Sequence, residues 1–139
     1  MLTEADIERI AGALARSGDH LAVGTFGSHA VGAAGAKSDL DLFVITDTRE
    51  PPAARRRTMR RVLFEVMHPL DIHVFTPEEF EEEAYEYLSF AWVIVRQARL
   101  YHWSDAAAVR VPSLSAIGAR LAQDDLRLGI GSSTSSLSR

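Results

Sequence analysis

The chain has 139 residues, 47% hydrophobic and 24% charged, with no cysteine and a net charge of −4 from 15 basic and 19 acidic residues. That length suits one domain with a sizeable core, and the composition is too apolar for a disordered chain. Zero cysteines exclude a disulfide scaffold, thiol catalysis and a cysteine-ligated zinc site, while the acidic balance argues against extended nucleic-acid binding. No apolar run reaches the ~18–20 residues needed to span a bilayer, and the acidic start lacks a signal-peptide layout, so a cytoplasmic protein without membrane contact is expected.

Thr3 is placed to cap a first helix, in which Ile7, Ile10, Ala11 and Leu14 fall at i, i+3, i+4, i+7. Ser17-Gly18-Asp19 ends it. Residues 20–26 are short and apolar, which predicts a buried strand. Gly27-Ser28 follows, then a small-residue stretch over 30–36. A second strand is expected over 39–45. Pro51-Pro52 open a helix in which Met59, Val62, Leu63, Val66 and Met67 predict a buried stripe ending at His68-Pro69. Arg55, Arg56, Arg57, Arg60 and Arg61 read as its solvated face, with contact to nucleic acid or, rather, an acidic protein partner as the alternative. Residues 70–75 predict a third strand. Thr76, Pro77 and Glu79 form a capping-box pattern for a helix running to about Gln97, with strand as the alternative over 93–95. Glu78, Glu79, Glu81, Glu82 and Glu83 read as helix-start and solvated charges. Residues 100–103 predict a short edge strand, Ser113 a cap for a helix through Leu126, and 129–139 a flexible Gly/Ser-rich tail. The alternation predicts an α/β (α+β) fold, a small mixed sheet flanked by helices.

The chemistry concentrates between Gly27 and Leu42. In a strand, residues i and i+2 share a face, so Asp39 and Asp41 would stand side by side among apolar neighbours. Like charges at that separation are unfavourable unless a cation lies between them, and a divalent ion such as magnesium meets the need. Asp71, near the start of the third strand, is a plausible third carboxylate, and three of them can hold two ions about 4 Å apart. Gly27 lets the backbone approach a ligand closely, and helix-start N–H groups favour anions. Each feature alone has a plainer reading, as a turn or a capped strand end. His29 reads as either nucleotide-facing or solvent-facing, and His73 as a core or edge histidine able to tune Asp71. Tyr85, Tyr87, Phe90, Trp92 and Trp103 read as core or partner surface rather than a base-stacking platform.

Gly27-Ser28, ten residues, then Asp39-Leu40-Asp41 resembles the signature of the DNA polymerase β-like nucleotidyltransferase superfamily. The chain is most similar to the minimal nucleotidyltransferases (MNT domains) that act as antitoxins beside HEPN-domain toxins. The likeness extends over Ser38 to Leu42, Asp71-Ile72-His73-Val74, Thr76-Pro77-Glu78-Glu79-Phe80 and Leu100-Tyr101-His102. It implies transfer of a nucleoside monophosphate, AMP from ATP being preferred, to a hydroxyl, with two magnesium ions and release of pyrophosphate. Gly27 and Ser28 would hold the triphosphate. Asp39, Asp41 and Asp71 would bind metal, Asp71 also accepting the acceptor's proton. Val31 departs from the family, which often carries arginine or lysine there; Lys37 is the candidate substitute. The implied division is an MNT domain over 1–103, a helical extension over 104–128 and the tail over 129–139. So short an extension leaves an open cleft, suited to a protein hydroxyl such as a tyrosine of a HEPN toxin. A small-molecule nucleotidyltransferase completed by dimerisation and a non-catalytic antitoxin are the alternatives, and homo-oligomerisation stays open.

Overall fold

A computed structural model describes residues 2–128. The Thr3 hydroxyl accepts from the Asp6 N–H and the Asp6 carboxylate accepts from the Thr3 N–H, which starts α1 (Glu4–Arg16). The Thr3 N–H, with Arg9 beside it, holds the Asp6 carboxyl down to about 2.

Four strands form one mixed sheet in the order β3 (Leu70–Phe75), β2 (Leu40–Ile45), β1 (Ala22–Phe26), β4 (Arg99–Trp103). β2 and β3 run parallel; β1 is antiparallel to both β2 and β4. Alternation along β2 divides its side chains between two cores. Leu40, Leu42 and Val44 face α1 and α3 (Pro52–Val62), meeting Ile7, Ile10, Leu14 and Met59. Phe43 and Ile45 face α4 (Pro77–Glu83) and α5 (Phe90–Gln97), meeting Phe80, Ala91 and Ile94. Val111 and Leu114, from the stretch between α6 (Ala107–Arg110) and α7 (Ser115–Leu128), complete that second core. This is the small mixed sheet flanked by helices that the sequence predicts. No helix among the described residues is long and apolar enough to cross a membrane.

Several local expectations need correction. α3 stops at Val62, and the N–H groups of Leu63, Phe64 and Val66 bond three residues back, turning the chain toward β3. The stripe is therefore buried at Met59 and Leu63, while Val62, Phe64 and Met67 are exposed. Arg55 is no solvated residue: it is 7% exposed, with a two-point grip on Glu79 at 2.6 and 3.1 Å. The helix expected from 77 to 97 breaks at 84–89, where Leu88 takes a left-handed φ of 67° and Ser89 caps α5. Residues 93–95 are helical, so the strand alternative falls. Ser113 does not cap α7; its N–H and hydroxyl both donate to the Glu81 carboxylate. The tail expectation for 129–139 lies outside the described residues.

Candidate active site

The site lies where β1 ends and β2 and β3 begin. The chain leaves β1 through Gly27, in the left-handed region at φ 74°, and enters the one-turn helix α2 (Gly27–Ala30). Glycine is required there twice over, since a Cβ would also run into the Asp41 carboxylate. Phe26 pairs with Asp41 across the β1–β2 ladder, and Asp41 pairs with Asp71 across the parallel β2–β3 ladder. The two aspartates therefore share the α4–α5 side of the sheet. Asp39 stands one residue before β2, exposed, rather than within the strand as expected.

Burial pushes the Asp41 carboxyl above the ordinary carboxylate range, and the charges of Asp71 and Asp39 push it the same way. His73 and His29 oppose this. Among the described residues, no lysine or arginine pairs with Asp39, Asp41 or Asp71. The His73 Nε2 lies 3.0 Å from Asp71 Oδ2, and its ring packs 4.2 Å from Phe90 and 5.4 Å from Phe26 between centroids. His73 is thus held in place as the partner of Asp71.

The Gly27 N–H donates to Gln97 Oε1 at 3.1 Å, so α5 latches the start of α2. Ser28 follows in α2, and Val31, 54% exposed, caps its end. Lys37 sits in an exposed turn and pairs with none of the three carboxylates. Gly27, Ser28, Asp39, Asp41 and Asp71 lie at one end of the sheet, and Lys37 lies in the exposed turn two residues before Asp39. No set of three or more His, Asp and Glu side chains among the described residues converges as a ready-made metal site. The donor chemistry nevertheless fits a hard cation: three carboxylates, one partly desolvated, with His73 on Asp71 and no lysine or arginine paired to any of them among the described residues.

Sequence reasoning missed His68, Gln97 and the role of Phe90. His68 Nε2 lies 2.7 Å, and His29 Nε2 3.2 Å, from the carbonyl oxygen of Ser38. Pro69 accepts the Leu40 N–H at 3.0 Å. His68 and Pro69 lie 30 and 29 residues from their partners Ser38 and Leu40, and no local spacing signals them. Tyr85, Tyr87 and Leu88 of the α4–α5 turn, with Phe90 at the start of α5, form an open apolar surface, all four being exposed.

The site is thus a half-buried carboxylate pair in parallel register beside a glycine turn. The model of the nucleotidyltransferase domain family matches residues 7–101, and the chain belongs to that family. No curated sequence matches it. Among solved structures it is similar to a chain of a toxin–antitoxin complex with AMP-PNP, at 14% identity and TM-score 0.54, covering 87% of this chain and 94% of that one. It is also similar, at 12% identity, to chains of a toxin–antitoxin MntA–HpeT mutant (TM-score 0.52) and of a tri-AMPylated Shewanella oneidensis HEPN toxin in complex with MNT antitoxin (TM-score 0.51). Each of these two covers 91% of this chain and 95% of its own. At such identities the likeness is one of fold.

Proposed function

We propose that this protein is a magnesium-dependent minimal nucleotidyltransferase that moves AMP from ATP to a tyrosine hydroxyl of a HEPN-type toxin, acting as its antitoxin in the cytoplasm. The observation that carries this reading is the unneutralised cluster around Asp41, set against the Gly27 turn. The solved neighbours with AMP-PNP and with an AMPylated HEPN toxin support the choice of donor and acceptor. Residues 1–103 form the catalytic unit in this reading, and 104–128 the extension that completes its core.

Asp39, Asp41 and Asp71 would hold the metal, which supplies positive charge against the triphosphate and the departing pyrophosphate. The chain's own residues do the rest. Ser28 offers its N–H and hydroxyl to the triphosphate, and a phosphate oxygen reaching the Gly27 N–H displaces the Gln97 amide. Asp71 Oδ2 is engaged by His73, which leaves Oδ1 to accept the acceptor proton. The acceptor oxygen bonds to the α-phosphorus as the bond to pyrophosphate breaks. Phe90 and Phe26 keep His73, and through it Asp71, in one orientation. The exposed turn of Tyr85, Tyr87 and Leu88 runs into Phe90, which packs on His73, the partner of Asp71, and so offers a surface near the site on which a protein acceptor can dock.

The metal requirement is directly measurable. Calorimetry should find ATP bound at least about 10-fold more weakly in chelator than in magnesium. Equal affinity in the two, with folded protein, would remove the metal from the account.

Val31 favours one second reading, in which the protein neutralises its partner by contact alone: an exposed apolar side chain ends α2 where the family often carries a cation. Val31→Arg is expected to raise ATP affinity or transfer rate by about 10-fold, the scale of one charge-assisted hydrogen bond. A folded variant with unchanged affinity and rate would show that Lys37 or a partner already fills that role. Inactivity of both proteins with every partner and triphosphate would favour neutralisation by contact. Labelling of a small hydroxyl compound in place of protein would favour the small-molecule reading.

A further inference from the structure

Asp39 differs from the other two carboxylates in standing outside the sheet, at the end of a stretch of small residues. The turn before it is closed locally, by Ser38 N–H to the Gly35 carbonyl at 3.2 Å and Gly35 N–H to Ser38 Oγ at 2.9 Å. Those bonds shape the turn but do not attach it to the domain. The attachment comes from the α3–β3 connection. His68 Nε2–H donates to the Ser38 carbonyl at 2.7 Å, and the Leu40 N–H donates to the Pro69 carbonyl at 3.0 Å. Two consecutive residues, His68 and Pro69, thereby grip the residue before Asp39 and the residue after it. His29, on α2, donates a second, longer bond to the same Ser38 oxygen at 3.2 Å, and its ring meets that of His68 edge-on at 5.9 Å. A carbonyl has two lone pairs, so both bonds can form at once.

We infer that His68, assisted by His29, is a positioning residue that holds the Asp39 backbone where its carboxylate can join Asp41 and Asp71 around a divalent ion. The inference rests on the metal reading of those three carboxylates. It gives the α3–β3 connection a part in the site: its parallel crossover brings residue 68 back to the start of β2. Neither imidazole touches substrate or metal; each acts through one backbone oxygen.

The probe is Mn2+, titrated into the full chain and followed by its paramagnetic resonance, beside thermal unfolding of each variant. Loss of one hydrogen bond that orders a ligand predicts Mn2+ affinity about 10-fold lower in His68→Ala, with much of it regained in His68→Gln, whose amide N–H can reach the same oxygen. His29→Ala should lower it less, in keeping with the longer bond, and serves in place of His68→Ala should that variant fail to fold. In an Asp39→Asn background, His68→Ala should change the residual affinity by less than about 2-fold, because the ligand it positions is already lost. Folded His68→Ala with wild-type Mn2+ affinity overturns the inference, as does a full loss that persists beside Asp39→Asn. A folded wild type that binds no Mn2+ overturns the metal reading and this role with it.

Discussion

Asp41→Asn is expected to reduce nucleotidyl transfer at least about 100-fold, while the metal-free variant is as stable as the wild type or more so. The two halves of this result have one cause. Asp41 is half-buried, in register with Asp71 and close enough to Asp39 to feel its charge. Its carboxyl is raised by burial first and by those neighbours second, so folding without metal forces an ionised group into an unfavourable place. For a group whose folded value is raised, the stability linked to it is present below the unfolded value and is lost as pH rises through the folded one. The stability advantage of Asp41→Asn over wild type should therefore grow as pH rises from the ordinary carboxylate value of 3.8 through the raised one, and level off above it. Denaturant unfolding in chelator at several pH values reads this difference directly. A variant that is inactive because it unfolds would instead mark Asp41 as a structural hydrogen-bonding group.

Arg55→Ala should have the largest effect on stability, a loss of about 2–3 kcal/mol by denaturant unfolding. Arg55 is buried, bonds the Glu50 carbonyl through Nε at 2.7 Å and grips Glu79 with both terminal nitrogens. It ties α3 to the start of α4, and its guanidinium holds the Glu79 carboxyl below its usual value. The loss stays short of the most severe for a broken buried pair because the Glu79 side chain is 42% exposed and can be rehydrated. Arg57→Ala and Arg61→Ala, on the exposed part of the same run, should each change stability by less than about 0.5 kcal/mol. An Arg55→Ala loss no larger than theirs would show that the buried pair contributes nothing net.

Arg55 also shows where sequence reading stops. A run of five arginines on a helix reads as solvated because the carboxylate that pairs with the buried one lies 24 positions away. Elements whose causes are local were legible. The capping residues at Thr3 and Thr76 start their helices as read, and the apolar run over 70–75 is β3. The end of α3 was not, since apolar periodicity continues past Leu63 while the backbone has already turned to reach β3. The candidate site divides along the same line. Period-two alternation and the Gly27-Ser28 spacing single out Asp39 and Asp41, and Asp71 follows as a carboxylate near the start of a strand. That β2 and β3 pair in parallel, with residue 41 opposite 71, is a tertiary fact. So are the His68 bond to Ser38, 30 residues away, and the Gln97 bond to Gly27, 70 residues away.

Transfer itself is the most direct test. The protein, incubated with magnesium, ATP labelled in the α-phosphate and a candidate HEPN-type partner, should pass label to a tyrosine of that partner and release unlabelled pyrophosphate. Label transfer should vanish in chelator and in Asp41→Asn. A folded protein that binds the partner and ATP together but leaves every hydroxyl unlabelled would contradict the catalytic account.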